Sequence, residues 1–465
     1  MINQLNKKRF FALFVLLFVL ITLPLTLYLV HQRQIVPKKA IQEPVAPEEV
    51  TIELGKTETV FDWSNDKCEG EDIPDSPARA FVDADGNVQL IATHYTSRRK
   101  IGANLDQVEH QCQKIFTSDK DPDPRKYNDY EWLVSPYTLD GRNIYALIHT
   151  EYEGWRHNNC NSADIMNCWW NSINLATSSD KGRTYSHLSP PAHNIANSPV
   201  DYNPNNTLGP IGFFEPSNII FKNGYYYALM TQHNPPGGWG TCLMRNNLSD
   251  PKSWRSWDGS GFTLKGYEGP HPRCQILPGN PPHFQVSYNI YLGKYIALDC
   301  WDWESGIVYY SFSDDLIHWS ERKTLAEKMG PYTSLLQPGD PTGNFEQTGR
   351  SPWLYYVISH RGLDRDLKRV RIRFSKSGDE NHYELLDLKM NEKKGGLALD
   401  SSFYGNNGSL EGSVSWQYSG DRNFLHFDGG RVIVPHKEEL TLKDKMTIEA
   451  WIRVDPLSLG GEYFH

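Results

Sequence analysis

No C-x-x-C pair occurs among the seven cysteines (Cys68, Cys112, Cys160, Cys168, Cys242, Cys274 and Cys300), so a zinc-ribbon or thioredoxin-type site has no local support. All seven precede residue 301, which confines any bridging to the first large domain. Their odd number leaves at least one outside an intrachain bridge, and Cys160 with Cys168 is the expected local pair. Basic charge is not in excess either. The chain has 47 Lys+Arg against 56 Asp+Glu, a net charge of −9, which argues against a phosphate-backbone binder, so no nucleic-acid partner is expected. Nor are aromatics scarce: at 12%, with 14 Trp and 25 Tyr, they exclude disorder for the bulk of the chain. A long-helix composition is lacking too, because 36 Gly and 29 Pro suit many short strands joined by turns. At 465 residues the chain exceeds one ordinary core, and two or three domains are expected.

What is present begins with an apolar run from Phe10 to Val30, preceded by Lys7-Lys8-Arg9. As a helix it would span roughly 31 Å, about one bilayer core. A cleavable signal peptide is the alternative, but its apolar region is normally shorter and no A-x-A-like site follows. The expectation is therefore a signal anchor, a transmembrane helix over residues 1–31, and a Pro- and Glu-rich linker over 32–55. It implies a single-pass cell-membrane location with the bulk of the chain extracytoplasmic.

A hairpin recurs. DADGNVQLIATHY (Asp83–Tyr95), LDGRNIYALIHTEY (Leu139–Tyr152), KNGYYYALMTQH (Lys222–His233) and YLGKYIALDCWD (Tyr291–Asp302) each lead from a turn glycine into an aromatic and aliphatic strand. The glycines are Gly86, Gly141, Gly224 and Gly293, and Asp-Gly or Asn-Gly favours a type I′ turn. A looser fifth copy is SPWLYYVISHR (Ser351–Arg361). A second element, SSDKGRTY (Ser178–Tyr185) and SFSDDLIHW (Ser311–Trp319), reads as strand, polar turn and covering aromatic. Four-stranded units repeated about five times predict an all-β chain built as a five-bladed β-propeller, which hides its edges by radial repetition.

Ser178-x-Asp180-x-Gly182-x-Thr184-Tyr185 resembles the Asp-box of sialidase-type propellers, with Tyr in place of the usual Trp. The Ser-Asp-Asp-Leu-x-x-Trp run at 313–319 and the EPSNIIFKNGYYYAL block are similar to five-bladed propellers of the arabinanase and fructosidase glycoside hydrolases. The propeller domain is placed at 56–390. Counting back from the turn glycines, Asp75, Glu131 and Glu215 stand 11, 10 and 9 residues before Gly86, Gly141 and Gly224, which would put all three around one mouth of the channel. His283 holds the equivalent place in the fourth unit. Glycoside hydrolysis needs a protonated carboxylic acid at the leaving oxygen and an ionised one to activate water. The resemblance implies that Asp75 acts as base, with Glu215 and Glu131 as the remaining carboxylates.

Other polar residues are substrate-binding candidates. His149 and Glu151 alternate along one strand face, as do Asp299, Trp301 and Trp303. Arg79, with Arg273, Arg350 and Arg361, could clamp an acidic sugar in the manner of sialidases. Trp239, Trp155, Trp169 and Trp170 sit in polar loops where aromatic faces can stack on sugar rings. Beyond LLDLKMNEKK, the order of D-x-S-x-x-G-x-x-G, F-D-G and T-I-E-A-W-I resembles a laminin G-like, concanavalin A-like lectin domain, expected over 395–465 as an incomplete β-sandwich jelly roll. Such domains bind glycans or proteins, sometimes through Ca²⁺. The sequence thus predicts a membrane-anchored glycoside hydrolase-like protein acting on a carbohydrate by inversion, with no metal or cofactor in the propeller and a Ca²⁺ ion conceivable in the C-terminal domain. The alternatives are a non-catalytic carbohydrate-binding adhesin and a sialidase-like enzyme on acidic sugars.

Overall fold

A computed structural model describes residues 50–453, except 199, 235–237, 248–249, 267–273, 301–302, 378, 380–383, 420–421 and 443–445. The chain divides into two units. One comprises residues 1–51 with 376–378, nearly all outside the described residues, and the other comprises 52–375 with 379–465. The apolar run at 10–30, expected as a membrane helix, lies outside the described residues. Among the described residues no helix is long and apolar enough to cross a membrane. The expectation of a single-pass membrane location is corrected accordingly, since it rested on the sequence of that run and no described helix supports it.

The fold is all-β and propeller-like, with the short helix α1 (Trp63–Asp66) and a few 3-10 turns. Strand β1 (Val50–Phe61) begins inside the stretch expected as linker, because Ile52 and Leu54 extend the strand pattern of TIELG. The first blade runs β2 (Arg79–Val82), β3 (Val88–Ile91), β4 (Thr96–Gly102) and β5 (Glu109–Thr117) in sequential order. In the second, β6 (Tyr130–Thr138), β7 (Ile144–Glu153) and β8 (Trp169–Ser178) are followed by β9 (Ser186–His187) and β10 (Asn194–Ala196), both paired to β8. The third holds β11 (Ile211–Phe214), β12 (Ile220–Lys222), β13 (Tyr225–His233), β14 (Trp239–Asn246), β15 (Arg255–Trp257) and β16 (Phe262–Leu264).

The fourth blade is β17 (Gln285–Asn289), β18 (Lys294–Asp299), β19 (Val308–Ser313) and β20 (Lys323–Ala326). The fifth starts at β21 (Ser334–Leu336), sends β22 (Gln347–Thr348) to pair in parallel with β17, and continues through β23 (Trp353–Ser359) and β24 (Arg365–Lys376). Its outermost strand is β1, so the first strand of the fold completes the last blade. Blades two and three are also joined, by parallel pairing of β11 with β8. That approach needs glycine. Gly212 sits at φ +119°, and a Cβ there would come 2.0 Å from the Asn171 carbonyl oxygen.

The turn glycines all take positive φ, at 75°, 68°, 82° and 67°. Only at Asn223-Gly224 do both central residues do so, as a two-residue type I′ loop requires. The loops at Asp83 and Asp140 are longer and are closed by a side chain instead. Asp83 Oδ1 accepts from the Asp85 and Asn87 backbones, and Asp140 Oδ1 from Arg142 and Asn143. The Asp-box behaves as its residues predict. Asp180 accepts from the Arg183 and Thr184 backbones and the Thr184 hydroxyl, while Tyr185 is buried with Phe81, Ile91 and Ile115. Asp315 repeats the pattern in blade four, and Trp319 covers that blade.

Apolar clusters fill the spaces between successive blades. Phe61 at the end of β1 joins Ala80 and Leu90 of blade one to Trp353, Tyr355 and Leu367 of blade five. Disulfides link Cys68–Cys112, Cys160–Cys168 and Cys242–Cys274, and Cys300 is a buried thiol.

The C-terminal segment, 395–465, falls in the same contact unit as the propeller. Strands β25 (Leu397–Ala398), β26 (Gly408–Glu411) and β29 (Arg431–Ile433) form one small sheet, and β27 (Val414–Ser419) pairs with β28 (Arg422–Phe427). Asn407 bonds Asp106 of blade one, and Arg371 of blade five donates to the Asp400 carbonyl. No strand forms over residues 447–452, and Ile448 and Trp451 stand exposed with no strand partner among the described residues.

Phe61 is 2% exposed in the closing cluster. Phe61→Ala is expected to cost about 3–5 kcal/mol, as a cavity at a fully packed aromatic does. A lower urea midpoint with unchanged m-value is the readout.

Candidate active site

Asp75 lies in the loop that leads into β2, tied down by its neighbour Ser76, whose hydroxyl donates to the Thr93 carbonyl. Its carboxylate is gripped by donors from two other blades. The Trp132 indole N–H of β6 donates to Oδ2 at 3.2 Å, and the Tyr332 hydroxyl donates to Oδ1 at 3.1 Å. The Arg365 guanidinium of β24 also meets Oδ1, and His94 Nε2 lies 3.6 Å from Oδ2. Every close partner among these can donate, so Asp75 is fixed in orientation as an acceptor. Trp303, from the blade-four loop, packs edge-on against Tyr332 at 5.3 Å and against the Arg365 guanidinium.

The second and third carboxylates share a histidine. His149 of β7 is buried; its Nδ1 lies 3.3 Å from Glu215 Oε1, and its Nε2 lies 3.6 Å from Glu151 Oε1 and 3.0 Å from Asn171 Oδ1. One imidazole thus bridges the two groups. Glu215 sits at φ +39°, a strained conformation for a side chain of its size, and its Oε2 is buried without a hydrogen-bond partner among the described residues. Strain and an unsatisfied oxygen coincide at this residue.

Burial sets the protonation states, with charge working for or against it. Burial alone would lower the pKa of His149, but Glu215, and then Glu151, outweigh it and hold the value at about 9. Burial, helped by the charges of Glu153, Asp75 and Glu215, raises Glu151 to about 8 against the pull of His149. Near neutrality Glu151 therefore carries a proton and His149 a positive charge.

Glu131, expected beside Asp75, is not in this group. Successive strand side chains point to opposite faces, and Trp132 is the residue of β6 that turns toward Asp75. Glu131 faces away and is fully buried opposite His187, 3.7 Å from its Nε2. Glu151, expected only to bind substrate, is brought to the carboxylates instead. The parity of the strand would have separated the two, since Trp132 pairs across with His149 and Glu131 with Thr150.

The remaining candidates divide. Arg79 is buried and donates to the Phe284 carbonyl and the Gln285 side chain, tying blade one to blade four; Glu215 acts on it only through charge. It is no open clamp for an acidic sugar. Arg350 donates to the Phe374 carbonyl, and Arg273 lies outside the described residues. His283 and Asp299 face each other at 3.6 Å in blade four, with Arg322 3.2 Å from Asp299. Trp301 lies outside the described residues. Trp239 is 40% exposed, stacks on His233 at 4.4 Å and meets Phe214 at 4.8 Å, while Trp169 meets Phe214 edge-on. Phe214 precedes Glu215 and touches His149, so this aromatic wall adjoins the carboxylates. His94, Tyr332 and Arg365 went unforeseen. A separate cavity, lined by Tyr127, Asp129, Thr150, Tyr152 and Trp170, contains none of the three carboxylates.

No family model matches the chain, and no curated protein does. Among solved structures it is similar to the catalytic domain of a GH62 alpha-L-arabinofuranosidase from Coprinopsis cinerea, at 12% identity and a TM-score of 0.40 over 69% of this chain and 96% of that one. It is also similar to an endo-arabinase from Bacteroides thetaiotaomicron, at 12% identity and a TM-score of 0.39 over 67% and 96%. A third is a protein of unknown function from Dyadobacter fermentans, at 9% identity and a TM-score of 0.38 over 70% and 99%. At such scores the chemistry of this chain rests on its own side chains.

The His149 ring is expected to stay protonated through pH 8, with a midpoint of about 9 in ¹H–¹⁵N NMR of the imidazole. A raised histidine pKa contributes stability that is complete below the ordinary value of 6.5 and is lost as pH climbs through about 9. Glu215→Gln should lower the midpoint and flatten that decline in thermal unfolding.

Proposed function

We propose that the chain is a glycoside hydrolase that cleaves a neutral glycan with Asp75 as general base and Glu151 as general acid. The observation that carries this reading is the pairing of Glu151 and Glu215 on one buried imidazolium, with Asp75 near enough to act on Glu151 through its charge. Asp75, held by three donors, is oriented to accept a proton from an attacking water. Glu151, kept protonated near neutrality, can protonate the departing glycosidic oxygen. Glu215 holds His149, and the charge of Glu215 helps keep the Glu151 proton in place. The aromatic wall of Trp239, Phe214 and Trp169 offers stacking faces for sugar rings, and Trp303 offers another beside Asp75.

The exposed face of Trp239 favours one second reading, a carbohydrate-binding protein without turnover. An acidic-sugar substrate is disfavoured, because Arg79 is spent within the protein interior and the other described arginines of the expected clamp do not gather at the carboxylates.

Hydrolysis of a polysaccharide panel by the full chain separates the readings. The alkaline limb of kcat/KM should fall with a midpoint of about 8, the value of Glu151, and should vanish in Glu151→Gln. That variant should lose roughly 10²–10⁴-fold in kcat on natural linkages. It should retain more activity on aryl glycosides, whose leaving groups need no proton. Asp75→Asn should lose activity on both substrate classes. ¹H NMR of the first-formed anomer reads the expected inversion. Glycan binding with no turnover, unchanged by either substitution, would replace the hydrolase with the binding protein.

A further inference from the structure

The face of β6 turned away from the carboxylates carries a second constellation. Glu131 is fully buried, and neither of its carboxylate oxygens has a hydrogen-bond partner among the described residues. His193 is fully buried just ahead of β10, and its Nδ1 is likewise without a partner among the described residues. His187 of β9 stacks on His193 with ring centroids 4.3 Å apart. One ligand atom from each of the three lies within 4.8 Å of the others. Buried polar atoms are almost always paired in a folded protein, so the unpaired Glu131 oxygens and His193 Nδ1, this close together, call for a shared partner.

The imidazoles are set up as ligands. His187 Nδ1 lies 2.8 Å from the Leu188 carbonyl, which can only accept, so Nδ1 carries a proton and Nε2 is the nitrogen that faces Glu131. His193 Nε2 lies 3.1 Å from the Tyr127 carbonyl, which fixes that proton and leaves the Nδ1 lone pair facing inward. A backbone carbonyl on the far nitrogen is the arrangement that orients histidines on metals. Asp119, in the loop after β5, brings Oδ2 to 3.6 Å from His187 Nε2, and Asn128 donates to the same oxygen.

We propose that Glu131, His187 and His193, with Asp119 as an outer fourth ligand, bind one divalent transition-metal ion. Two imidazoles and a carboxylate suit Zn²⁺ and its first-row neighbours rather than Ca²⁺, which takes an all-oxygen shell. The site departs from the metal-free propeller that the sequence led us to expect. It is independent of the hydrolase reading, because its ligands lie on the opposite face of β6 and β7. The ion would tie the loop leaving blade one to three segments of blade two, a structural role. The other clusters do not compete: Cys68 is in a disulfide, and Asp366 is already engaged by Trp63, His360 and Lys368.

The test is direct. The untagged full chain, stripped with a chelator and titrated with ZnCl₂ in a calorimeter, should take up about one equivalent and gain several degrees in melting temperature. Co²⁺ in its place should give visible ligand-field bands. Glu131→Gln and His193→Asn should each weaken binding at least 10-fold and abolish the zinc-dependent shift, while the melting temperature of the stripped protein stays near that of the parent. Should His193→Asn not fold, His187→Gln, at the more open edge of the site, takes its place. No stoichiometric uptake by the parent chain overturns the proposal. So does uptake that survives the Glu131 and histidine substitutions but disappears in His360→Asn.

Discussion

Everything at the carboxylate site depends on closing the ring of sheets. A four-stranded sheet left open would offer a row of unpaired backbone groups, and the chain answers by laying β1 along β24. Closure places blade five beside blade one. Only then can Arg365 and Tyr332 reach Asp75, across 290 and 257 residues of sequence. Phe61 fills the seam that this makes, so the packing that closes the ring and the grip on Asp75 are built from the same pair of blades.

Within the closed ring, one cation organises the acid chemistry. Three carboxylates brought together in low dielectric repel one another, and the least solvated of them responds by keeping its proton. His149 could relieve this by sitting midway, but it stands nearer Glu215 than Glu151. The charge is therefore spent unequally. Glu215 receives the ion pair, and Glu151 is left to rise toward neutrality.

The repeat was legible because turn glycines and Asp-boxes write local geometry into short segments. Gly86, Gly141, Gly224 and Gly293 all take the left-handed conformation that their positions imply, and the Cys160–Cys168 bridge spans only 8 residues. Asp75 and Glu215 were also within reach, since each lies in the loop that enters a blade. Glu131 was not, because counting back from a glycine fixes a position along a strand to within a residue, and one residue reverses the face. His149 and Glu151 did alternate visibly, yet which face met the channel depended on the partner strand. Arg365 and Tyr332 left no local mark at all, because their role exists only after closure.

The hairpin of β6 and β7 is buried on both faces, and the two faces meet the same electrostatic demand differently. On one, His149 lies against carboxylates that hold its proton, and the imidazolium offsets their charge. On the other, burial and the neighbouring His187 drive His193 down to about 3, so its imidazole is neutral and offers Glu131 nothing. His187, from 3.7 Å, and to a smaller degree the Asp119 backbone pull against the burial that raises Glu131. A buried carboxylate without a cation either takes up a proton or recruits a positive ion. Two neighbouring imidazoles whose outer nitrogens are already committed to carbonyls make the second course available. The strand pair thus separates proton chemistry from cation chemistry by nothing more than the alternation of its side chains.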